Sequence, residues 1–216
     1  MAKLEFDKTG EKIYETGVEQ CALFVRGASG YNPGVAWNGI TSITENPSGA
    51  EASAVYADNI KYLNIVSGED FGATIEAYTY PDEFGVCDGS AEVATGVKIG
   101  QQERKPFGLA YKTKIGNDTD GISHGYKLHI IYNAQAAPSS KAYQTINESP
   151  EAISFSWEIT TTPEAVNGYK ASASVTIDST AVEPAKLTAL EKKIYGDTSS
   201  EPTLPSIDEI ITMFKS

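Results

Sequence analysis

Four stretches of this 216-residue chain alternate apolar and polar residues with period two, and that alternation constrains the fold more than any other feature. In 153–160, Ile153, Phe155, Trp157 and Ile159 alternate with Ser154, Ser156, Glu158 and Thr160. In 171–178, Ala171, Ala173, Val175 and Ile177 alternate with Ser172, Ser174, Thr176 and Asp178. Tyr126, Leu128, Ile130 and Tyr132 share one parity, as do Phe107, Leu109, Tyr111, Thr113 and Ile115. A period of two places one set of side chains on each face of a strand, the signature of half-buried antiparallel sheet. Less regular strands are expected near 18–26, 35–44, 59–66 and 71–80. Twelve Tyr, seven Phe and two Trp add to the preference for strand. The fold class that follows is mainly β, built of antiparallel sheet.

Between 107–115 and 126–133 lies Gly116-Asn117-Asp118-Thr119-Asp120-Gly121, which is turn chemistry, so these strands are expected to form a hairpin. If their apolar sides share one core, Lys112, Lys114, Lys127 and His129 project together on the other side. They then form either a basic contact strip or gatekeeper charges that keep an edge from aggregating.

Other segments punctuate the pattern. Residues 44–55 have no periodicity and read as a long loop, including Glu45, Asn46, Pro47, Ser48, Gly49, Ala50 and Glu51; loops of that length in compact domains usually have a task. Residues 1–17 are polar and read as an arm. Pro184 suits the first turn of a helix, Leu187, Leu190 and Ile194 share a stripe, and Gly196 suits its C-terminal cap. Ser206 and Glu209 have capping-box spacing ahead of Ile210, Ile211 and Phe214. The expected organisation is one β domain over 1–196, then a linker and short helix over 197–216.

Charge excludes some partners. The net charge is −12, which disfavours binding the outside of DNA or an anionic membrane. Its distribution is uneven. Residues 45–95 carry Lys61 alone against ten carboxylates, whereas residues 96–141 carry seven Lys/Arg against three. Such a division is either an ordinary soluble acidic surface or a pair of opposed surfaces that meet in assembly. No run of eighteen apolar residues occurs, so no membrane span is expected. The first residues lack the apolar stretch of a signal peptide, so folding in the cytoplasm of the producing cell is expected. Cys21 and Cys87 are read as reduced, packed thiols rather than zinc ligands, and neither a metal nor another cofactor is expected.

Catalytic signals are weak. Gly121-Ile122-Ser123-His124-Gly125 matches G-x-S-x-G, but a nucleophile elbow needs a strand before it and a helix after it. Here a turn precedes it and a strand is expected to follow. Asp118-Thr119-Asp120-Gly121 faintly resembles a calcium loop, without the later bidentate acid. Carboxylates across 69–92 could make a glycosidase pair, but any acidic segment supplies them. The expectation is a non-enzymatic protein.

Phrases spread along the chain carry more information. They run from Val55-Tyr56-Ala57-Asp58-Asn59-Ile60-Lys61-Tyr62-Leu63 through Phe71-Gly72-Ala73-Thr74-Ile75-Glu76-Ala77-Tyr78-Thr79-Tyr80-Pro81-Asp82-Glu83-Phe84 to Cys87-Asp88-Gly89. Gly100-Gln101-Gln102, Phe107-Gly108-Leu109-Ala110-Tyr111-Lys112-Thr113, Gly116-Asn117-Asp118, Tyr126-Lys127-Leu128-His129 and Phe155-Ser156-Trp157-Glu158 continue them. Over residues 30–195 the chain resembles the major tail (tail tube) proteins of long, non-contractile-tailed phages and prophages of Gram-positive bacteria. The resemblance implies two packed antiparallel sheets flanked by a helix, assembled typically as hexameric rings. The rings stack into a tube through which the genome passes, so the implied location is the tail of a virion. The implied partners are further copies of the chain and other tail proteins, such as the tape measure and the tail terminator. DNA would pass through the lumen without specific binding. The resemblance brings no catalytic residues.

Combined with the charge distribution, it suggests lumen-facing acids among Glu76, Glu69, Asp70, Asp82 and Glu83, with Glu76 foremost. It also makes the loop at 44–55 the candidate bridge between rings. The alternative is a soluble β-sandwich binding module of a phage tail, for carbohydrate or protein. That reading requires an exposed aromatic platform, whereas Trp157 lies on an apolar strand face and Trp37 is unassigned.

Overall fold

The computed structural model of the chain describes residues 3–146, 148 and 151–215. Met1 and Ala2 of the expected arm, and Ser216 of the expected terminal helix, lie outside the described residues. The strands are β1 (Tyr14–Gly27), β2 (Gly30–Tyr31), β3 (Val35–Ala36), β4 (Ile40–Glu45), β5 (Ser48–Gly49), β6 (Ala52–Ala57), β7 (Ile60–Val66), β8 (Glu69–Asp70) and β9 (Gly72–Ala77). After a 3₁₀ turn at Asp82–Val86 come β10 (Ala91–Ala94), β11 (Val97–Ile99), β12 (Phe107–Asn117), β13 (Gly121–Ala136), β14 (Phe155–Thr161) and β15 (Ser174–Asp178). Two helices, α1 (Pro184–Tyr195) and α2 (Ile207–Lys215), close the chain. The fold is mainly β and antiparallel, as the alternation implied.

Nine strands form the main sheet in the order β2-β1-β12-β13-β14-β9-β4, with β3 added on β1 and β15 on β13. The sheet forks along β13. Residues Lys127–Ile131 pair with β15, whereas Ala134–Ala136 pair with β14. Between them sits Asn133, at φ 49°, a left-handed conformation that Asn tolerates better than most residues. Asn133 is held there from three sides. Its N–H donates to the Tyr31 hydroxyl at 2.8 Å, its amide donates to the Thr162 carbonyl at 3.2 Å, and its side-chain oxygen accepts from Arg26 at 3.1 Å. The fork lets β14, β9 and β4 curl back until β4 lies near β1.

The first core fills the space inside this curl. Trp37, Phe84, Phe107 and Trp157 meet there with ring centroids 4.4–5.5 Å apart, and Leu23, Ile75, Leu109 and Ile131 are fully buried around them. A second core lies on the other side of β1, β12, β13 and β15. There Phe24, Leu128, Ile130 and Tyr132 pack under α1 and α2. Each such side chain contributes about 1.5–3 kcal/mol through removal from water.

The pairing of β12 with β13 explains the two cores. Tyr111 faces His129 and Lys112 faces Leu128, so residues of like parity share a face. The odd-numbered apolar set of β12 therefore points into the first core and the even-numbered set of β13 into the second. The expectation that both sets share one core is thus corrected: the hairpin is covered on both faces. β14 and β9, by contrast, bury one face and keep the other polar.

Both helices form where their caps were read. Pro184 sits at the first position of α1, and Gly196 ends it at φ 73°. Ser206 and Glu209 form a reciprocal capping box: the Ser206 N–H donates to Glu209 at 3.1 Å and the Glu209 N–H to Ser206 Oγ at 3.2 Å. The segment before α2 is docked on the body. Gly34 N–H donates to the Pro202 carbonyl at 2.9 Å, and the Tyr132 hydroxyl donates to the Pro205 carbonyl at 2.9 Å. Ile207 and Ile210 then enter the second core.

Candidate assembly interface

The segment 44–55 is not an irregular loop. It is the outgoing leg of a long hairpin arm whose returning leg is 60–71. At its root the Asn46 N–H donates to the Gly72 carbonyl at 2.7 Å and the Asn46 amide to Thr74 Oγ1 at 2.9 Å. Ser48 and Gly49 then pair with Asp70 and Glu69. Gly49 is required: at φ 83°, an added Cβ would lie 2.3 Å from the Gly68 carbonyl oxygen. Beyond it, β6 and β7 pair from Ala52↔Val66 to Ala57↔Ile60. Asp58 and Asn59 make the tip, with φ of 51° and 63°. Two successive left-handed residues are the mark of a type I′ turn, which suits a two-residue hairpin. Thirteen residues separate Asn46 from Asp58 inclusive, so at ~3.3 Å per residue the arm is about 40 Å long.

Sequence reasoning found β7 but missed β6. Ala52-Ser53-Ala54 has little strand preference, and the arm has no buried face to impose alternation. The Asp58-Asn59 pair flanked by Tyr56 and Tyr62 was the signal that could have located the tip.

The surface of the arm is its chief property. Val55, Tyr56, Ile60, Tyr62, Leu63, Ile65 and Val66 are 37–70% exposed. Ser53 pairs with Ile65 and Ala52 with Val66, so these adjacent apolar residues lie on opposite faces of the ribbon. A two-stranded hairpin alone is at best marginal in water, and contiguous exposed apolar surface marks an interaction site.

A second surface is the outer, polar face of β14, β9 and β4. The register sets Ser156 beside Glu76 and Glu76 beside Ser42, with Glu158 beside Thr74 and Thr74 beside Thr44. Glu76 accepts from Ser42 Oγ at 2.9 Å. Glu76 and Glu158 are both exposed on this face. The alternation of 153–160 puts Glu158 on the polar side of its strand, but only the register sets it diagonally across from Glu76.

The other acids proposed with Glu76 lie elsewhere. Glu69 and Asp70 are at the base of the arm in β8. Asp82 and Glu83 belong to the 3₁₀ turn beyond the opposite end of β9. Lys98 holds Asp82 at 2.6 Å and lowers its pKa. The five acids therefore do not form one cluster.

The four cations are likewise divided. Lys112 and Lys114 share the face of Leu128 and Tyr126; Lys127 and His129 share the opposite face with Thr113 and Tyr111. Each lysine is neutralised. Lys112 is buried, 2.7 Å from Glu191 of α1, with its ammonium 4.4 Å from the Tyr126 ring centroid. Lys114 pairs with Glu19 at 3.0 Å, and Lys127 pairs with Glu15.

His129 belongs to a polar group where β4 runs into the arm. It stacks on Tyr111 at 4.8 Å, and its Nε2 lies 2.9 Å from Thr113 Oγ1. The Tyr111 hydroxyl donates to Glu45 at 2.8 Å, and His129 Nδ1 lies 3.6 Å from the same carboxylate. Burial lowers the His129 pKa and Lys127 lowers it further, against the opposing pull of Glu45 and Glu15.

The remaining sequence features resolve simply. Gly121–Gly125 opens β13, so strand and not helix follows Ser123. His124 Nδ1 lies 3.1 Å from Asp120 within the turn. No cluster of three or more His, Cys, Asp or Glu suited to a metal occurs among the described residues. Cys21 and Cys87 are buried free thiols, and burial pushes the Cys87 pKa up to about 12. Trp37 and Trp157 are both buried in the first core, Trp37 donating to the Thr79 carbonyl at 2.9 Å. Neither can serve as an exposed carbohydrate platform. No helix is long and apolar enough to cross a membrane among the described residues.

No protein-family model and no curated protein matches the chain. Among solved structures it is similar to a chain of the anti-feeding prophage baseplate, with 6% identity, a TM-score of 0.35, and coverage of 81% of this chain and 97% of that one. It is also similar to a chain of the sheath–tube complex of an extracellular contractile injection system in its extended state. There the identity is 12%, the TM-score 0.31, and the coverage 74% and 88%. A chain from the sheath/tube terminator of the same kind of system gives 13%, 0.28, and 81% and 99%. At these scores the likeness does not define a common fold.

Proposed function

We infer that the chain is a structural, non-catalytic subunit that assembles with copies of itself into stacked rings, the tube of a phage-type tail. The observation that carries this reading is the arm: about 40 Å of ribbon whose large apolar side chains stand uncovered on both faces. Burying that surface against neighbouring copies removes the cost of leaving it in water. Heterologous contacts of this kind generate rings and filaments. The motif resemblance over 30–195 points to the same assembly.

In this reading the polar face of β14, β9 and β4 lines the lumen. Glu76 and Glu158 repel phosphates there, and a Ser/Thr surface between them offers DNA no cation to bind. The hexameric ring and the genome conduit belong to the same proposal, as do the tape-measure and terminator partners.

The test is negative-stain microscopy and light scattering of the purified chain over a concentration series. Rings or tubes with an axial channel are expected. A monomer that persists to the highest concentration overturns the reading.

A further inference from the structure

We propose that the arm of one copy docks on the β10–β11 ribbon of a second copy, and that this contact fixes the polarity of assembly. The inference rests on the self-assembly reading above and names the acceptor surface within it.

The ribbon is a second hairpin that, among the described residues, leaves an apolar face uncovered. Ala91 pairs with Ile99 and Glu92 with Lys98, with a bulge before Ala94↔Val97. Alternation places Ala91, Val93, Val97 and Ile99 on one face and Glu92 and Lys98 on the other. The polar face is engaged by its own chain: Lys98 Nζ lies 2.6 Å from Asp82, and the Gly96 N–H donates to Glu92 at 2.9 Å to close the turn. The apolar face is open, with Val93, Val97 and Ile99 at 59%, 52% and 44% exposure. An isolated two-stranded ribbon of this kind needs a covering layer.

The chain's connectivity identifies the layer. Strand β9 runs from Gly72 to Ala77. The arm enters it at Gly72, and the excursion carrying β10 and β11 leaves it after Ala77. The two uncovered ribbons thus spring from opposite ends of one strand about 20 Å long. The arm extends the β4–β9 pair outward, away from its own β10–β11 ribbon, so the contact falls between copies. When copies stack with the same orientation, the arm end of one faces the ribbon end of the next. The face of the arm bearing Val55, Leu63 and Ile65 matches the ribbon's Val93, Val97 and Ile99 in size and aliphatic character. Stacked face to face, they form the two-layer unit that each lacks alone. Because donor and acceptor patches differ, the contact does not close on itself as a two-fold dimer would, and it propagates.

The test is disulfide trapping in assembled material. Leu63→Cys and Val97→Cys are made singly and together; Cys21 and Cys87 are buried and stay silent. Under mild oxidation the double variant is expected to give a ladder of covalent multimers. An equimolar mixture of the single variants is expected to give dimers containing one of each. Tubes that form without these crosslinks overturn the docking site and leave the assembly reading standing. Failure of the wild-type chain to assemble overturns both.

Discussion

Replacing Ile65 by serine, and separately Val66 by serine, probes whether both faces of the arm are buried in assembly. The two side chains lie on opposite faces and are 58% and 60% exposed in the single chain. Full burial of such a side chain is worth about 1.5–3 kcal/mol. Scaled to the exposed fraction, each contributes about 1–2 kcal/mol when a partner covers it. At 1.4 kcal/mol per tenfold, either substitution raises the critical concentration for polymerisation about 5- to 30-fold. The single chain loses nothing comparable, because surface substitutions usually fall within about 0.5 kcal/mol. The assay is sedimentation of polymer across a concentration series, paired with denaturant unfolding under non-assembling conditions. If Ile65→Ser shifts the critical concentration and Val66→Ser leaves it unchanged, burial on both faces is refuted. If neither moves it, the arm is not an assembly surface.

Two further outcomes follow from the body of the domain. Lys112→Ala leaves the Glu191 carboxylate without its cation beneath α1 and is expected to cost about 3 kcal/mol; Lys112→Met with Glu191→Leu recovers most of it, as denaturant titration would show, and a cost below about 1 kcal/mol for the single variant would sink the argument. His129, held by burial below its ordinary value of about 6.5, stays neutral in the fold where the unfolded chain takes up a proton. Its contribution to stability is complete above that unfolded value and declines as pH falls toward the folded one. Thermal unfolding between pH 7 and pH 5 should show this decline, and His129→Gln should flatten it; an identical profile in the variant would exclude His129 as its source.

The strands of the body were legible because burial on one face imposes alternation. Trp157 and Ile159 against Ser156 and Glu158 is the clearest case, and β14 follows it. The end caps of α1 and the Ser206–Glu209 box were legible for a different reason: capping depends on local residues alone. What sequence could not give was register. Lys112 and Lys127 looked like neighbours on a basic strip because the apolar sets of β12 and β13 were assigned to one core. The pairing instead assigns them to two, a long-range outcome in which α1 and α2 cover the even-numbered side of β13. The arm was illegible for the opposite reason. With no buried face in the single chain, nothing disciplines its composition, and its Ala/Ser-rich leg resembles a loop.

The double-sided covering of the β12–β13 hairpin has a consequence for how this protein can vary. In β14 every second position, Ser156, Glu158 and Thr160, faces solvent, as does Glu76 of β9, so drift is free at those sites and a lineage can retune that face without disturbing the core. Along β12 from Phe107 to Tyr111 and β13 from Ile130 to Tyr132 no such free sites exist, since successive side chains are buried in one core or the other. That hairpin is the inflexible keel of the molecule. Diversification between relatives would be channelled into the arm, the small β10–β11 ribbon and the polar face, the three surfaces through which one copy would meet its surroundings.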